Sequence, residues 1–167
     1  FKQKTAYEIP LRLVGSEMCI RDRSRDDEYY ASKGQGAFLN TSRIRVSKIK
    51  GLKNSLICNS FHGSADSEPK FDQLTLIRNL YSNSLTLRRT GSTALDLAFV
   101  ASGKLDAFLG YGMKLWDFAA GAILVMEAGG FVNNFAGEED VFSSHHLVAG
   151  NESCVNAIKK EIDKSLV

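Results

Sequence analysis

The chain has 167 residues, of which 44% are hydrophobic and 24% are charged, which is typical of one folded domain and excludes disordered and fibrous proteins. A formal net charge of +2 does not indicate a broad nucleic-acid-binding surface. The cysteines Cys19, Cys58 and Cys154 are too widely spaced for a zinc motif or a disulfide framework, which favours a reducing, cytoplasmic setting. The longest apolar run, 118–126, is too short to predict a membrane span.

The first 23 residues, FKQKTAYEIPLRLVGSEMCIRDR, differ in character from the rest of the chain. They show no sustained helical or strand period and no signal-peptide apolar region. The string resembles translated sequencing-adapter sequence, so we treat residues 1–23 as an artefact outside the fold and residues 24–167 as the native part. Because no Met opens the chain, we expect it to be incomplete at its N-terminus.

The next part of the chain predicts short strands joined by turns that contain Gly or Asn, which is a meander pattern. A short apolar run then predicts a buried strand, followed by an amphipathic helix with Phe71, Leu74, Ile77 and Leu80 on its apolar face. The predicted strands are 29–31, 37–39, 44–46 and 55–60, and the helix is 71–81.

Strands and helices alternate through the second half of the chain, which predicts an α/β fold built in layers. Glycines mark the ends of two apolar helices. The predicted strands are 84–89, 106–109, 131–132 and 146–148, and the predicted helices are 91–102, 118–128 and 152–165.

Gly91, Ser92 and Thr93 form the first candidate site, because a strand there runs into a glycine and then into hydroxyl residues that cap a helix. Free backbone N–H groups and the positive end of the helix dipole suit a phosphate or carboxylate. The simpler interpretation is a well-capped helix. Asp96 lies inside this apolar helix and needs a partner if it is buried.

Asp117, in the segment Trp-Asp-Phe-Ala-Ala-Gly, is the second candidate. Its position favours a helix N-cap, which is its ordinary role. The small residues that follow it would also let a bound group come close. A carboxylate there could contribute one oxygen ligand to a divalent cation, but one carboxylate does not make a site.

Other polar residues predict structural roles. The segment 127–130, Glu-Ala-Gly-Gly, is typical of a helix end. His145 and His146 are adjacent on a predicted strand and point to opposite faces, so we assign them neither catalysis nor metal binding. Cys58 and Cys154 are expected to be buried. Arg88 and Arg89 could face an anion, but a solvated strand end is the simpler interpretation.

Taken together, these segments resemble the inositol monophosphatase family, closest to its bacterial inositol-1-monophosphatase branch. The likeness runs from Asp26 to the C-terminus and keeps both the order and the spacing of the motifs. It rests on EYYASKGQGAFLNTSRIRVS at 28–47, GSTALDLA at 91–98, GKLDAF at 103–108, WDFAAG at 116–121 and EAGG at 127–130.

The resemblance implies the C-terminal part of a layered αβαβα sandwich and a Mg²⁺-dependent phosphatase of small phosphate monoesters, most simply inositol 1-phosphate. It implies that Asp117 binds metal and lies near the substrate, and that Gly91, Ser92 and Thr93 line the substrate site. It also implies a homodimer that acts on a small phosphorylated polyol. The neutral charge outside residues 1–23, the short apolar runs and the cysteine spacing predict a cytoplasmic protein with no direct nucleic-acid or membrane partner.

This sequence departs from the family pattern in two places. Gly110 stands in the substrate site where many members carry a glutamate that contacts inositol hydroxyls. The family's other metal ligands, a glutamate in Gly-Glu and two aspartates in Asp-Pro-x-Asp-Gly-Thr, do not occur before Asp26. We therefore expect the 167-residue chain alone to be inactive.

Three alternatives remain open at this point. The protein could be a related phosphatase acting on adenosine 3′,5′-bisphosphate, fructose 1,6-bisphosphate or histidinol phosphate. It could be a non-catalytic binding or dimerisation module, since some bacterial family members act with the transcription machinery. It could also be a fragment without independent function, whose exposed sheet edge would aggregate.

Overall fold

A computed structural model of the chain describes residues 17–62 and 72–166. Four antiparallel strands form the first sheet, in the order β1-β2-β3-β4. They are β1 (Glu17–Asp22), β2 (Asp27–Ser32), β3 (Gly36–Leu39) and β4 (Ser42–Ile44). The meander predicted from the sequence is therefore confirmed, with its last strand ending at Ile44.

Strand β1 lies inside the segment that the sequence analysis leaves out of the fold. It pairs with β2 along its whole length, with Met18 opposite Ala31 and Ile20 opposite Tyr29. Ile20 is 8% exposed, because alternate residues of the strand face the helices behind the sheet. Residues 17–22 thus have a place in this fold. The origin of residues 1–23 stays a prediction, and residues 1–16 lie outside the described part.

The second sheet has five strands in the order β6-β5-β7-β9-β8. Strands β5, β6 and β7 run parallel, and β9 runs antiparallel to both of its neighbours. The strands are β5 (Leu56–Phe61), β6 (Thr86–Arg88), β7 (Ala107–Tyr111), β8 (Phe131–Asn133) and β9 (His146–Gly150). The parallel strands are connected through helices, as parallel pairing requires.

Helices complete the layers: α1 (Gln73–Asn83), α2 (Thr93–Ala101), α3 (Leu115–Glu127) and α4 (Glu152–Asp163). Helices α2 and α3 pack between the two sheets, and α1 and α4 cover the outer face of the second sheet. One hydrophobic core therefore lies around α2 and α3, and a second lies under α1 and α4. No helix within the described ranges is long and apolar enough to cross a membrane.

Helix α1 buries only part of the predicted apolar face, since Leu80 is buried as predicted. Leu76 and Leu80 are buried, whereas Leu74 is 79% exposed. The helix begins after Asp72, whose carboxylate accepts hydrogen bonds from the backbone N–H groups of Leu74 and Thr75. The buried face is thus centred on Leu76 and Leu80, which are four residues apart and lie on one side of the helix. Phe71, the first residue of the predicted face, lies outside the described residues.

Candidate functional site

A cleft of about 330 Å³ opens where two parallel strands of the second sheet end. Strands β5 and β7 run side by side to Phe61 and Tyr111. In open α/β sheets, ligands bind beyond the carboxyl ends of parallel strands. The residues that line this cleft are Ser60, His62, Arg89, Gly91, Ser92, Thr93, Ala94 and Asp117.

The N-terminus of α2 forms one wall of the cleft. Ser92 is the N-cap, and its hydroxyl accepts from the backbone N–H of Leu95 at 3.5 Å. Gly91 before it has a φ of +93°, which a residue with a side chain rarely adopts. Backbone donors at the start of a helix, together with the helix dipole, favour a bound anion. The cleft thus brings together Gly91, Ser92, Thr93 and Asp117, four of the five predicted site residues.

Asp96 fixes the loop that leads into this wall. Its side chain is 1% exposed and accepts a hydrogen bond of 2.6 Å from the Thr90 hydroxyl. Burial raises the pKa of Asp96, and hydrogen bonds from Thr90 and Cys58 partly oppose that effect. Burial and the nearby Asp96 raise the pKa of the Cys58 thiol to about 12, so Cys58 is a poor nucleophile at neutral pH. Asp96 therefore has the partner that its buried position requires.

Asp117 is not the N-cap of α3, which corrects the sequence interpretation. The helix starts earlier, at Leu115, with Lys114 as N-cap. Asp117 occupies the third helical position, and its carboxylate accepts from the backbone N–H of Lys114 at 3.0 Å. This bond holds the carboxylate at the start of the helix, where it lines the cleft.

The small residues after Asp117 serve helix packing. A Cβ added at Gly121 would overlap the side chain of Leu97 on α2. Glycine therefore allows α2 and α3 to approach closely, which places the N-termini of both helices at the same cleft. The small side chains were expected to admit a bound group, but at Gly121 they admit the neighbouring helix.

Three polar residues of the cleft were not assigned to a site from the sequence. Ser60 is 8% exposed, and its hydroxyl lies 3.0 Å from His62 Nε2 and 3.4 Å from Thr93 Oγ1. Arg89 donates to the carbonyl of Phe61 at 3.2 Å, which directs it to the cleft and not only to solvent. Ser60 and His62 are close in sequence, and Arg89, which follows β6, meets them because β5 and β6 are neighbours in the sheet.

Gly110 does not line the cleft. It lies in the middle of the second sheet, opposite Ser60 on β5 and Leu147 on β9. A Cβ added at Gly110 would overlap Sδ and Cε of Met113, so a methionine side chain fills the space beside it. No larger residue fits at this position unless Met113 and Phe108 move.

The carboxylates of the cleft do not complete a Mg²⁺ site. Asp117 is the only carboxylate among the lining residues that the structure describes. Across residues 17–62 and 72–166, no three acidic, histidine or cysteine side chains cluster as metal ligands. Mg²⁺ needs several oxygen ligands, so these residues would provide one of them and not a complete site.

Several residues were predicted to have structural roles, and one of them, Glu127, makes an additional contact. Cys58 and Cys154 are fully buried, as expected. Glu127 does more than end a helix, because its carboxylate accepts from the backbone N–H groups of Gly34 and Gly36 at 2.8 and 2.9 Å. These two hydrogen bonds connect the end of α3 to the β2–β3 turn. His145 Nδ1 lies 3.0 Å from the Met113 carbonyl.

Comparison with known proteins agrees with this architecture. The sequence model of the inositol monophosphatase family matches residues 18–166. Nus factor SuhB of Pseudomonas aeruginosa is 40% identical over 148 residues, which are 88% of this chain and 55% of that protein. Inositol-1-monophosphatase of Mesorhizobium japonicum is 38% identical over 148 residues, with the same coverage of 88% and 55%.

The crystal structure of extragenic suppressor protein suhB from Bartonella henselae superposes with a TM-score of 0.83 at 34% identity. The match covers 89% of this chain and 57% of that one. The described part of the chain therefore has the same α/β fold as this solved structure. The chain spans a little more than half the length of each of these relatives.

Proposed function

Because this chain belongs to the inositol monophosphatase family, we propose that the complete protein is a Mg²⁺-dependent phosphatase of small phosphate monoesters, with inositol 1-phosphate as substrate. One observation carries this proposal. The helix start at Gly91–Thr93 and the carboxylate of Asp117 come from two different helices and line one cleft. An anion-binding wall beside a carboxylate is the arrangement that a metal-dependent phosphatase needs.

In this proposal the residues of the chain have separate tasks. Backbone N–H groups at Ser92 and Thr93 and the hydroxyl of Thr93 hold the phosphate of the ester. Asp117 would provide one oxygen ligand to Mg²⁺ beside the bound phosphate. The remaining ligands would come from a part of the complete protein beyond the described residues, because those residues supply only one.

A related substrate is the first alternative. Gly110 brings no carboxylate to the cleft, so nothing at that position selects the hydroxyl groups of inositol. The alternative substrates are therefore still candidates: adenosine 3′,5′-bisphosphate, fructose 1,6-bisphosphate and histidinol phosphate. A homodimer and a cytoplasmic location are parts of the same proposal.

A second candidate function is a non-catalytic binding module. It is favoured by the likeness to Nus factor SuhB of Pseudomonas aeruginosa, which carries the name of a factor and not of an enzyme. If this function holds, loss of the Asp117 carboxylate leaves partner binding intact. The balance of acidic and basic residues outside 1–23 gives no support for direct nucleic-acid binding.

The test begins with the gene. The DNA upstream of the Ser24 codon is sequenced, the complete reading frame is expressed, and phosphate release is measured with Mg²⁺ on inositol 1-phosphate and the alternatives. We expect release by the complete protein and loss of release in D117N, while the 167-residue chain releases none above the blank. Release by the 167-residue chain, or full activity of D117N, contradicts the proposal.

A further inference from the structure

A serine and a histidine form a hydrogen-bonded pair in the cleft, and the proposed phosphatase activity uses neither of them. Ser60 is the fifth residue of β5, and His62 follows the end of that strand. Ser60 Oγ lies 3.0 Å from His62 Nε2, which is close enough for a histidine to take a proton from a hydroxyl. Both residues line the cleft, so a ligand bound there would lie beside the pair. A hydroxyl bonded to an imidazole is the basic unit of nucleophilic catalysis by serine.

The hydrogen bonds around Ser60 Oγ indicate where its proton points. Thr93 Oγ1 donates to Ser60 Oγ at 3.4 Å. A hydroxyl has one proton, so Ser60 is left with that proton for His62, whose Nε2 then accepts it. This assigns neutral His62 the tautomer with its ring proton on Nδ1. The Thr93 hydroxyl would also stabilise the charge that Ser60 Oγ gains as its proton leaves.

The sheet holds both partners of the pair in place. Ser60 is 8% exposed and lies opposite Gly110 in the middle of the second sheet. The backbone N–H of His62 donates to the Tyr111 carbonyl at 2.9 Å, and a Cβ added at Gly112 would overlap the His62 carbonyl. Within residues 17–62 and 72–166, no carboxylate lies within ion-pair distance of His62. The pair therefore lacks the third group of a catalytic triad, and we expect slow turnover.

The same cleft carries donors for the oxygen of a reacting carbonyl group. Thr93 and Ala94 begin α2, so their backbone N–H groups have no carbonyl partner within the helix. Both residues line the cleft, and so does Arg89. Donors of this kind stabilise the negative charge that develops on a carbonyl oxygen when a nucleophile attacks. A volume of about 330 Å³ is sufficient for a small ester.

We propose that Ser60 is a nucleophile and His62 its general base, and that the pair hydrolyses small carboxylic esters without a metal. Ser60 Oγ forms a bond to the carbonyl carbon while its proton passes to His62 Nε2. The bond from that carbon to the alcohol oxygen then breaks, and the alcohol leaves with the proton from His62. Water attacks the acyl group on Ser60 by the same route, which releases the acid and restores the hydroxyl. This activity is separate from the metal-dependent one proposed above.

The test traps the first step with diisopropyl fluorophosphate, in which a phosphorus atom takes the place of the carbonyl carbon and fluoride is the leaving group. The 167-residue chain is treated in the presence of EDTA, and mass spectrometry of its peptides locates the modified residue. We expect modification at Ser60 in the folded chain and none there in a denaturing concentration of urea. H62Q should slow this modification about 100-fold, the lower end of what a general base contributes. The unmodified chain should also hydrolyse 4-nitrophenyl acetate faster than S60A.

His145 provides a matched control, because its Nδ1 lies 3.0 Å from the Met113 carbonyl and it does not line the cleft. H145Q is expected to be modified at Ser60 as fast as the unmodified chain. No modification at Ser60, or an equal rate in H62Q and the unmodified chain, overturns the inference. An equal slowing in H62Q and H145Q does so as well. Because EDTA removes metal ions, none of these results decides the Mg²⁺-dependent activity, which is measured separately.

Discussion

The buried carboxylate of Asp96 accepts a hydrogen bond of 2.6 Å from the hydroxyl of Thr90, six residues earlier in the chain. Thr90 Oγ1 in turn lies 3.4 Å from the backbone nitrogen of Ser92. Asp96, a residue of α2, therefore holds in place the loop that leads to the N-terminus of the same helix. The loop geometry at the cleft depends on a buried residue that does not line the cleft.

Replacement of Asp96 by Asn should change how stability depends on pH. Because burial raises the pKa of Asp96, the folded protein takes up a proton there more readily than the unfolded chain. The contribution of Asp96 to the free energy of unfolding therefore falls as the pH rises from the ordinary carboxyl pKa through the raised pKa of the folded state. We expect D96N to remove this fall, measured by urea unfolding between about pH 4 and pH 7.

Asp163 supplies the control for that measurement, because it is exposed at the end of α4. D163N is expected to keep the pH dependence of the unmodified chain. If D96N shows that same dependence, Asp96 does not titrate as described.

Substitutions at Ser92 should separate stability from anion binding. S92A removes the N-cap of α2 and is expected to lower the free energy of unfolding by about 1 kcal/mol. Asp is also a good N-cap, so S92D should cost less stability, yet its charge would repel a phosphate at the helix start. Thermal unfolding and phosphate titration of both variants check this, and phosphate binding by S92D contradicts it.

A side chain at position 110 should destabilise the second sheet. G110A places a methyl group against Met113 and Phe108 and is expected to cost about 1–3 kcal/mol. The methyl group added in G110A overlaps mainly Met113. M113A should therefore lower the free energy of unfolding by less in the G110A background than in the unmodified chain. Denaturant unfolding of the two single variants and the double variant gives the coupling. Additive costs would show that Met113 is not the obstacle.

The Glu127 carboxylate should stabilise the contact between α3 and the first sheet. E127A leaves the N–H groups of Gly34 and Gly36 without their acceptor and is expected to cost about 1–3 kcal/mol. Glu138 accepts a side-chain bond within its own turn, so E138A is a control for loss of a charge. Hydrogen exchange should quicken at Gly34 and Gly36 in E127A alone. Unchanged hydrogen exchange at Gly34 and Gly36 in E127A would contradict this role of Glu127.

The sequence predicted the fold class and most strands because period and turn residues are local signals. The buried thiols and the need of Asp96 for a partner also followed from the sequence. The resemblance correctly identified the family, and four of its five predicted site residues line one cleft. Whether they bind metal or substrate stays a prediction.

The remaining features depend on contacts between distant parts of the chain. Ser60, His62 and Arg89 meet through the pairing of β5 with β6, which no local pattern shows. The position of Asp117 was misread because α3 begins two residues before it, with Lys114 as an unusual N-cap. The role of Glu127 depends on a turn that lies more than 90 residues away.

The central claim is that the start of α2 is a phosphate site, and the most direct measurement is a titration of inorganic phosphate into the ¹⁵N-labelled 167-residue chain. The amides of Gly91, Ser92 and Thr93 are predicted to shift with saturation, and S92D is predicted to abolish these shifts. Saturable shifts confined to other parts of the chain, or none at all, would contradict the claim.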